Sequence, residues 1–384
     1  MSKRRRILVL GSSAGGGDWP PLAAVASALI ERGHEAAYFG DAELAEATRE
    51  SDLPIEAVPP GRDLGSYMKP WLEELEGNPQ APIPVPRWTE DVLPLASSLA
   101  RRVKPEVLVC TDFTLLLGDA LRAEIDRPLC LVHSTFFVGE KAKRRIEDDF
   151  APSHYATARG FAAFLQAANL VLLATDPVFD PPPDSCPANH HWVGPLLWEP
   201  AQAVPAYLQA AGEPWALITL SSNRQAGEVR LARAALTALA GFALRPLLTL
   251  GDTTSRDDIG PLPGKARLEP YVPHSLVLER AALCVSHAGH GIVSKALYFG
   301  VPMVLIPWDR DQPGVAARAE ALGVARIVRR EELSPERLAA AIREVLTDPG
   351  LKQRAALHGK RLRAQDARLT ACKLIEEMWA GAVQ

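Results

Sequence analysis

The pattern of apolar and polar positions divides the first half of the chain into alternating short and long segments. The short apolar runs are interpreted as strands: "RILVL", "HEAAYFG", "EVLVCTD", "PLCLVHS" and "LVLLAT". Between them, "PLAAVASALIERG" and "TLLLGDALRAEID" have the spacing of amphipathic helices, the first ending at Gly33. Strands that alternate with helices predict a parallel sheet that is covered on both faces.

The same pattern begins again after the Pro-rich stretch "VGPLLWEPAQAVPAYLQAAGEP". New strands are predicted at "WALITL", "RPLLTLG", "ALCVSHAG" and "PMVLIPW", with helices at "EVRLARAALTALAG" and "GIVSKALYFG". The fold class is therefore α/β, with two doubly wound, Rossmann-like domains at residues 1–204 and 205–365. The helical residues 366–384 are expected to pack back on the N-terminal domain. Ligands of such sheets bind beyond the strand carboxyl ends, which predicts a binding cleft between the domains.

Composition and charge exclude several classes of protein. A net charge of −4 over 384 residues argues against a nucleic-acid partner, which would select a basic face. The five cysteines form no Cys-x-x-Cys pair, so neither a zinc site nor a disulfide framework is expected. The N-terminal apolar run "ILVL" is too short for a signal peptide, and no apolar run approaches the roughly 18 residues of a membrane span. These features predict a cytoplasmic protein, either a monomer or a homodimer.

The densest group of chemically useful residues lies in "VSHAGHGIVSKALYFGVPMVLIPWDRDQPG", residues 285–314. His287 follows a predicted strand, and Gly289 and Gly291 let backbone N–H groups approach a ligand where a helix begins. The helix N-terminus adds about half a positive charge, and a diphosphate is a usual occupant of such a site. One helix and one strand later, Asp311 and Gln312 can accept from and donate to vicinal hydroxyls. Together these sites describe a nucleotide sugar.

The surrounding stretch resembles the donor-site block of nucleotide-sugar-dependent glycosyltransferases with the B-type fold, notably the macrolide, glycopeptide, sterol and rhamnolipid enzymes. It reads "YVPHSLVLERAALCVSHAGHGIVSKALYFGVPMVLIPWDRDQPGVAARAEALGVA". The resemblance implies that Asp311 and Gln312 hold the sugar, and that a backbone group of Val272 meets the base. The residues that it assigns to the diphosphate or its surroundings are His287, Gly289, His290, Gly291, Ile292, Ser221 and Ser222. For His290, which lies between the two glycines, the alternatives are a solvent-facing position or support of the loop.

One departure from that block bears on the donor. Relatives that use uridine donors carry a glutamate where this chain has Lys295, and that carboxylate accepts from the ribose hydroxyls. A lysine cannot accept a hydrogen bond. Ile292 and Val293 also replace the small hydroxylic residues usual after Gly-x-Gly. We therefore favour a deoxythymidine diphosphate (dTDP) donor, which lacks the 2′-hydroxyl, over a uridine diphosphate (UDP) donor.

The candidate general base lies in "GDWPP", residues 17–21. The related enzymes usually show Gly-His-x-x-Pro there, with the histidine as base. Here Asp18 stands in that position, as in the glycopeptide and sterol branch. Asp112 in "VCTDF" is the counterpart of the aspartate that orients the base, and His133 in "LVHSTFF" is a second candidate base. Alternatively, Asp18 and Asp112 cap the helices that follow them, and so do Asp311 and Gln312.

These features together predict an inverting glycosyltransferase that needs no metal and no cofactor. An acceptor hydroxyl would displace the nucleoside diphosphate directly, while the helix N-terminus and His287 stabilise the leaving group. The acceptor is expected to be a small, largely apolar molecule, and the aromatic residues Trp71, Trp88, Phe136 and Phe137 either line its pocket or pack in the core.

Three other functions remain alternatives to transfer. One is a non-catalytic homologue that binds a nucleotide sugar or activates a partner enzyme, and another is a nucleotide-sugar epimerase. A dehydrogenase would use Asp41 to bind ribose, but Pro20 stands where its third glycine is required.

Overall fold

The structure is a computed structural model that describes residues 4–42, 44, 55–75, 78, 83–138, 146–150, 160, 165–221, 227–250 and 254–381. The chain forms two compact units. The first consists of Met1–Ile146, Tyr155–Ala201 and Asp366–Gln384, and the second of Glu147–His154 and Gln202–Gln365. The predicted boundary at residues 204 and 205 therefore lies close to the observed one. The segment Glu147–His154, predicted to be in the N-terminal domain, instead belongs to the second unit.

The first unit contains a seven-stranded sheet of order β3-β2-β1-β4-β5-β6-β7, in which every neighbouring pair is parallel. Its strands are β1 (Arg6–Leu10), β2 (Glu35–Gly40), β3 (Ile55–Ala57), β4 (Val107–Thr111), β5 (Leu129–His133), β6 (Leu170–Leu173) and β7 (His190–Trp192). Its first helices are α1 (Trp19–Glu31), α2 (Leu64–Leu75), α3 (Val85–Val103) and α4 (Leu115–Ile125). Every residue of β4 and β5 is buried, as expected for strands covered on both faces.

The second unit contains a six-stranded sheet of order β10-β9-β8-β11-β12-β13, again parallel throughout. Its strands are β8 (Trp215–Thr219), β9 (Arg245–Thr249), β10 (Arg267–Glu269), β11 (Ala281–Ser286), β12 (Met303–Leu305) and β13 (Ala325–Ile327). The helices that follow α4 along the chain are α5 (Ile146–Asp149), α6 (Ala206–Gln209), α7 (Glu228–Leu239), α8 (Arg256–Ile259), α9 (His274–Leu278), α10 (His290–Phe299), α11 (Gln312–Ala321), α12 (Pro335–Thr347) and α13 (Pro349–Arg363).

A buried ion pair explains why the segment that begins at Glu147 belongs to the second unit. Arg318 on α11 donates from Nη1 to Asp149 Oδ1 at 2.6 Å, and both side chains are almost fully enclosed. The same Nη1 also donates to the carbonyl of Gly314. Removing one partner of such a pair would leave an uncompensated buried charge. The pair therefore ties this segment to α11.

The last helix, α14 (Ala367–Gly381), belongs to the core of the first unit. Its buried residues Ile375 and Trp379 pack in the same cluster as Leu22 on α1. On its polar side, Glu376 accepts from Arg32 Nη2 at 2.7 Å and lies 3.1 Å from His34 Nε2. The predicted return of the C-terminal helix to the N-terminal domain matches this arrangement.

Within the described ranges, no helix combines the length and apolar character that crossing a membrane requires.

Candidate functional site

The turn between β11 and α10 is a strained junction. β11 ends at Ser286, and α10 begins at His290. Between them, buried Ala288 has a φ of 68°, in the left-handed region that non-glycine residues seldom adopt. Its N–H is satisfied by Ser286 Oγ at 3.2 Å. The first N–H groups of an α-helix have no carbonyl partner within the helix, so this tight turn presents donors to a ligand.

His287 projects its imidazole into this turn. Its Nδ1 atom is buried and has no hydrogen-bond partner within the part of the chain that the structure describes. Burial and the nearby charge of Arg310 lower the pKa of His287 to about 4, against the opposing effects of Asp311 and the backbone of Thr219. The ring is therefore neutral at pH 7. A buried nitrogen without a partner is costly, which makes it a candidate ligand contact.

The imidazole also packs against Gly289. A Cβ placed on Gly289 would lie 2.7 Å from Nε2 of His287, whereas a Cβ on Gly291 would meet nothing within 4 Å. Gly289 is therefore required by the position of the ring, and Gly291 is not. Gly289 itself lies in the extended region, with φ −61° and ψ 142°, so steric room rather than backbone freedom explains the glycine.

We expect Gly289→Ala to displace the His287 ring from its buried position. The pKa of His287 should then rise from about 4 towards its ordinary value of 6.5, because the added methyl group forces the ring towards solvent. Gly291→Ala is the matched control and should leave the pKa near 4. The measurement is an NMR titration of the histidine ring signals in both variants. Equal titration of the two variants would contradict the packing described here.

The first strand of the second unit contributes Ser221, which is buried just beyond β8. Its backbone N–H donates to Oε1 of Glu228 at 2.6 Å, so the first residue of α7 holds the strand end. Ser222 lies outside the described residues. Val272 is buried immediately before Pro273 and α9, while its neighbour Tyr271 is 56% exposed. Ser221 follows β8 and Val272 follows β10, two strands that β9 separates in one sheet, so both residues lie at the edge where ligands of such sheets bind.

The loop between β12 and α11 is shaped by Gln312. Its Oε1 accepts from the backbone N–H groups of Trp308 at 2.8 Å and Asp309 at 3.0 Å. The amide oxygen therefore orders the loop, and the NH₂ group is what Gln312 can offer to a ligand. Asp311 precedes α11, but its carboxylate makes no capping hydrogen bond. The capping interpretation of Asp311 is therefore wrong, whereas Gln312 does have a structural role.

Arg310 is a site residue that the sequence interpretation missed. Its Nη2 donates to Ser221 Oγ at 3.3 Å, and its charge contributes to the low pKa of His287. In the sequence it stands as a single arginine between two aspartates, a pattern that ordinarily indicates a solvated charge. Only the sheet order, which makes β11 a neighbour of both β8 and β12, brings it to Ser221 and His287.

A second cluster lies at the strand carboxyl ends of the first unit. His133, the last residue of β5, lies 2.7 Å from Asp112 Oδ1 through Nδ1 and 2.9 Å from the carbonyl of Phe136 through Nε2. Both partners are acceptors, so both ring nitrogens carry protons. Burial opposes the charged form, but Asp112, the Phe136 carbonyl and the charge of Asp18 prevail and raise the pKa of His133 to about 9. At neutral pH His133 is therefore an imidazolium.

Ser134 joins Asp18 to this cluster. Its hydroxyl donates to Asp18 Oδ1 at 2.5 Å, and its backbone N–H points to Asp112 Oδ2 at 3.4 Å. Asp18 directly precedes α1, yet its side chain makes no capping hydrogen bond, and Asp112 bonds His133 rather than a helix end. The capping interpretation of both aspartates is therefore wrong. Ser134 was missed from the sequence, since one serine after a strand carries no distinctive signal.

The charged state of His133 predicts a pH-dependent stability of the first unit. Its pKa rises from 6.5 to about 9 on folding, so its contribution is complete below pH 6.5 and is lost as the pH rises through 9. Each pH unit in this interval should remove up to about 1.4 kcal/mol of the free energy of unfolding. Denaturant titrations at pH 6 and above pH 9 would measure the loss. Asp112→Asn should flatten this dependence, and an equally steep dependence in that variant would contradict the assignment.

The aromatic residues proposed for an acceptor pocket are packed in the interior. Trp71, Trp88, Phe136 and Phe137 are all buried. Phe137 stacks on Trp192 with ring centroids 5.7 Å apart. Their packing role is therefore the observed one.

Two other sequence interpretations concern a dinucleotide and a metal ion. The Asp41 carboxylate accepts from Ser12 Oγ and from the Ser13 and Leu44 N–H groups, which commits it to the loop after β1 rather than to a ribose. Among the described side chains, no group of three or more His, Cys, Asp or Glu residues is placed to hold a metal ion.

The chain resembles known proteins in both sequence and structure. Residues 235–369 match the family model "Erythromycin biosynthesis protein CIII-like, C-terminal domain". Over 210 residues the chain is 37% identical to O-mycaminosyltylonolide 6-deoxyallosyltransferase of Streptomyces fradiae. The matched region covers 52% of this chain and 47% of that protein. The match thus spans about half the length of this curated relative.

Among solved structures, the calicheamicin glycosyltransferase CalG4 superposes with a TM-score of 0.75 at 20% identity, covering 98% of this chain and 99% of the other. The glycosyltransferase VinC, solved in complex with dTDP, has a TM-score of 0.70 at 20% identity and covers 98% of this chain and 99% of its own. The predicted resemblance and the predicted fold class are both confirmed. Residues 235–369 thus match the erythromycin CIII-like C-terminal domain model, and the chain has the fold of the B-type glycosyltransferase CalG4.

Proposed function

We propose that this protein transfers a sugar from a nucleoside diphosphate sugar to a hydroxyl of a small, largely apolar acceptor. The observation that carries the proposal is the β11–α10 turn, where buried Nδ1 of His287 has no partner among the described residues. Backbone donors at the start of α10 stand beside it. An anion at this turn would satisfy both, and the erythromycin CIII-like match over the same residues supports a nucleotide sugar.

The sugar would extend from this turn towards the loop that precedes α11. Gln312 offers its NH₂ group there, and Asp311 offers a carboxylate that is not engaged in capping. Both are groups that recognise vicinal hydroxyls. No metal is required in this proposal, because α10 and its neighbouring side chains stabilise the departing diphosphate.

The reaction that we propose is a direct displacement with inversion. The acceptor oxygen forms a bond to the anomeric carbon from the face opposite the nucleotide, and the bond from that carbon to the diphosphate oxygen breaks. The acceptor proton passes to a carboxylate. Asp18 is the base that we propose, because both nitrogens of His133 already donate to Asp112 and Phe136. The His133 imidazolium then stabilises the Asp112 carboxylate that it contacts, and acts through its charge on Asp18.

The donor that we propose is a dTDP-sugar rather than a UDP-sugar. Lys295 lies on α10, where related uridine enzymes carry a carboxylate for the ribose hydroxyls. A deoxyribose has no 2′-hydroxyl. The absence of the carboxylate that accepts from the ribose hydroxyls should therefore weaken the binding of a dTDP-sugar less than that of a UDP-sugar. VinC, which shares the fold, was solved with dTDP. The 6-deoxyallosyltransferase relative suggests a deoxyhexose as the sugar and a macrolide-like molecule as the acceptor.

The test of this function is nucleoside diphosphate release, measured with and without an acceptor. The purified protein is given dTDP-glucose or UDP-glucose, alone and with a panel of macrolide aglycones and phenols. Release that requires an acceptor, with a glycosylated product, supports transfer, and faster release from the dTDP-sugar supports the donor preference. Conversion of the donor sugar without acceptor would indicate an epimerase. Thermal stabilisation by dTDP without turnover would indicate a binding protein.

A further inference from the structure

The loop that carries Arg310 holds this residue in an unusual backbone conformation. Arg310 has a φ of 55°, in the left-handed region that non-glycine residues seldom adopt. The conformation is fixed from both sides, since Asp309 Oδ1 accepts from the Arg310 N–H at 2.8 Å and Gln312 orders the two preceding residues. Strain that is held in place by its surroundings is a feature of functional loops.

The guanidinium contacts the end of β8 and acts through its charge on the β11–α10 turn. Its Nη2 donates to Ser221 Oγ at 3.3 Å, which places it at the end of β8. Its positive charge also acts on the His287 ring at the end of β11. β8 and β12 flank β11 in the sheet, so the three strand ends converge on the start of α10.

A nucleoside diphosphate at the β11–α10 turn would carry more negative charge than the turn itself can neutralise, so a further cationic side chain is needed there. A nucleoside diphosphate carries at least two negative charges, whereas the His287 ring is neutral at pH 7 and a helix N-terminus supplies about half a positive charge. A guanidinium fork can donate two parallel hydrogen bonds to phosphate oxygens, and it keeps its charge at every relevant pH.

We propose that Arg310 is a further diphosphate-binding residue, one that neutralises the charge of the nucleoside diphosphate at the β11–α10 turn. This inference rests on the proposed function, because it requires a nucleoside diphosphate at that turn. Ser221 then orients the guanidinium, and the strained backbone directs it towards the strand ends. The same contact stabilises the leaving group as the glycosidic bond breaks.

The test compares Arg310→Gln with the wild-type protein by calorimetric titration of dTDP and of thymidine. The variant should bind dTDP at least tenfold more weakly and thymidine unchanged, because only dTDP carries the charges that Arg310 neutralises. The affinity of Arg310→Lys for dTDP should lie between those of the wild type and Arg310→Gln. Lysine keeps the positive charge but lacks the paired N–H donors of the guanidinium. Arg330→Gln is the matched control: this arginine pairs with Glu331 at the surface of the same unit, and dTDP binding should not change.

A second measurement distinguishes a phosphate contact from a bracing role for Arg310. The affinity of the wild-type protein for dTDP should fall more steeply with salt than that of Arg310→Gln. In the ligand-free variant the pKa of His287 should rise above about 4, because a neighbouring positive charge is lost. Equal dTDP affinity in Arg310→Gln and wild type overturns this inference alone. Failure of the wild-type protein to bind dTDP or UDP overturns the proposed function.

Discussion

His287→Ala should weaken dTDP binding by about tenfold to a hundredfold and lower turnover further. A hydrogen bond to a charged group contributes about 1.5–3 kcal/mol, and the variant loses the one that Nδ1 would donate to a phosphate oxygen. The effect on turnover is larger because the negative charge on the bridging oxygen grows as the bond to the sugar breaks. Calorimetry with dTDP and steady-state kinetics measure the two effects separately.

His287→Asn is the matched variant for this prediction. Its amide NH₂ group can occupy a position near that of Nδ1 and still donate, so part of the lost affinity should return. Both variants should fold, because the ring is replaced by a smaller side chain and Nδ1 has no hydrogen-bond partner among the described residues to lose. Unchanged kinetics in His287→Ala would remove the phosphate assignment.

Asp18→Asn should reduce transfer by about 10²–10⁴-fold, the usual contribution of a general base, while the affinity for dTDP stays within experimental error. The amide keeps the shape of the side chain and can still accept from Ser134, but it cannot take a proton. The measurement pairs single-turnover transfer with a dTDP titration, which tests the proposed donor site in the second unit separately.

Ser134→Ala provides the graded comparison for Asp18. It leaves the carboxylate in place and removes only the hydroxyl that donates to Oδ1 at 2.5 Å, so transfer should fall less than in Asp18→Asn. Transfer at the wild-type rate by the Asp18→Asn protein would place the base elsewhere, with His133 the next residue to test. For His133 to act, it would first have to release Asp112 or the Phe136 carbonyl.

The fold was predictable wherever burial leaves a long apolar run. The nine strands interpreted from the sequence are all present. Within the described residues, four further strands were missed, and each has three residues: β3, β7, β10 and β13. They are the edge strands of the two sheets, with one paired neighbour each, so their sequences need not be continuously apolar. The sequence of "RLE" in β10 shows this directly, since Arg267 is exposed.

The site was predictable where one short stretch supplies all of its parts, as at His287, Gly289 and the start of α10. It was not predictable where partners come from distant strands. Asp18 and Ser134 are separated by 116 residues, and Arg310 and Ser221 by 89, so only the strand order brings them together. Contacts of that range leave no local pattern, which is why Ser134 and Arg310 were missed.

The most direct test of the central claim is a crystal structure of the protein with dTDP. We expect the diphosphate to lie at the β11–α10 turn, with a phosphate oxygen near Nδ1 of His287 and others facing the backbone N–H groups of residues 289–292. A diphosphate bound at any other place in the protein would rule out this turn as the donor site, and the proposed transfer with it.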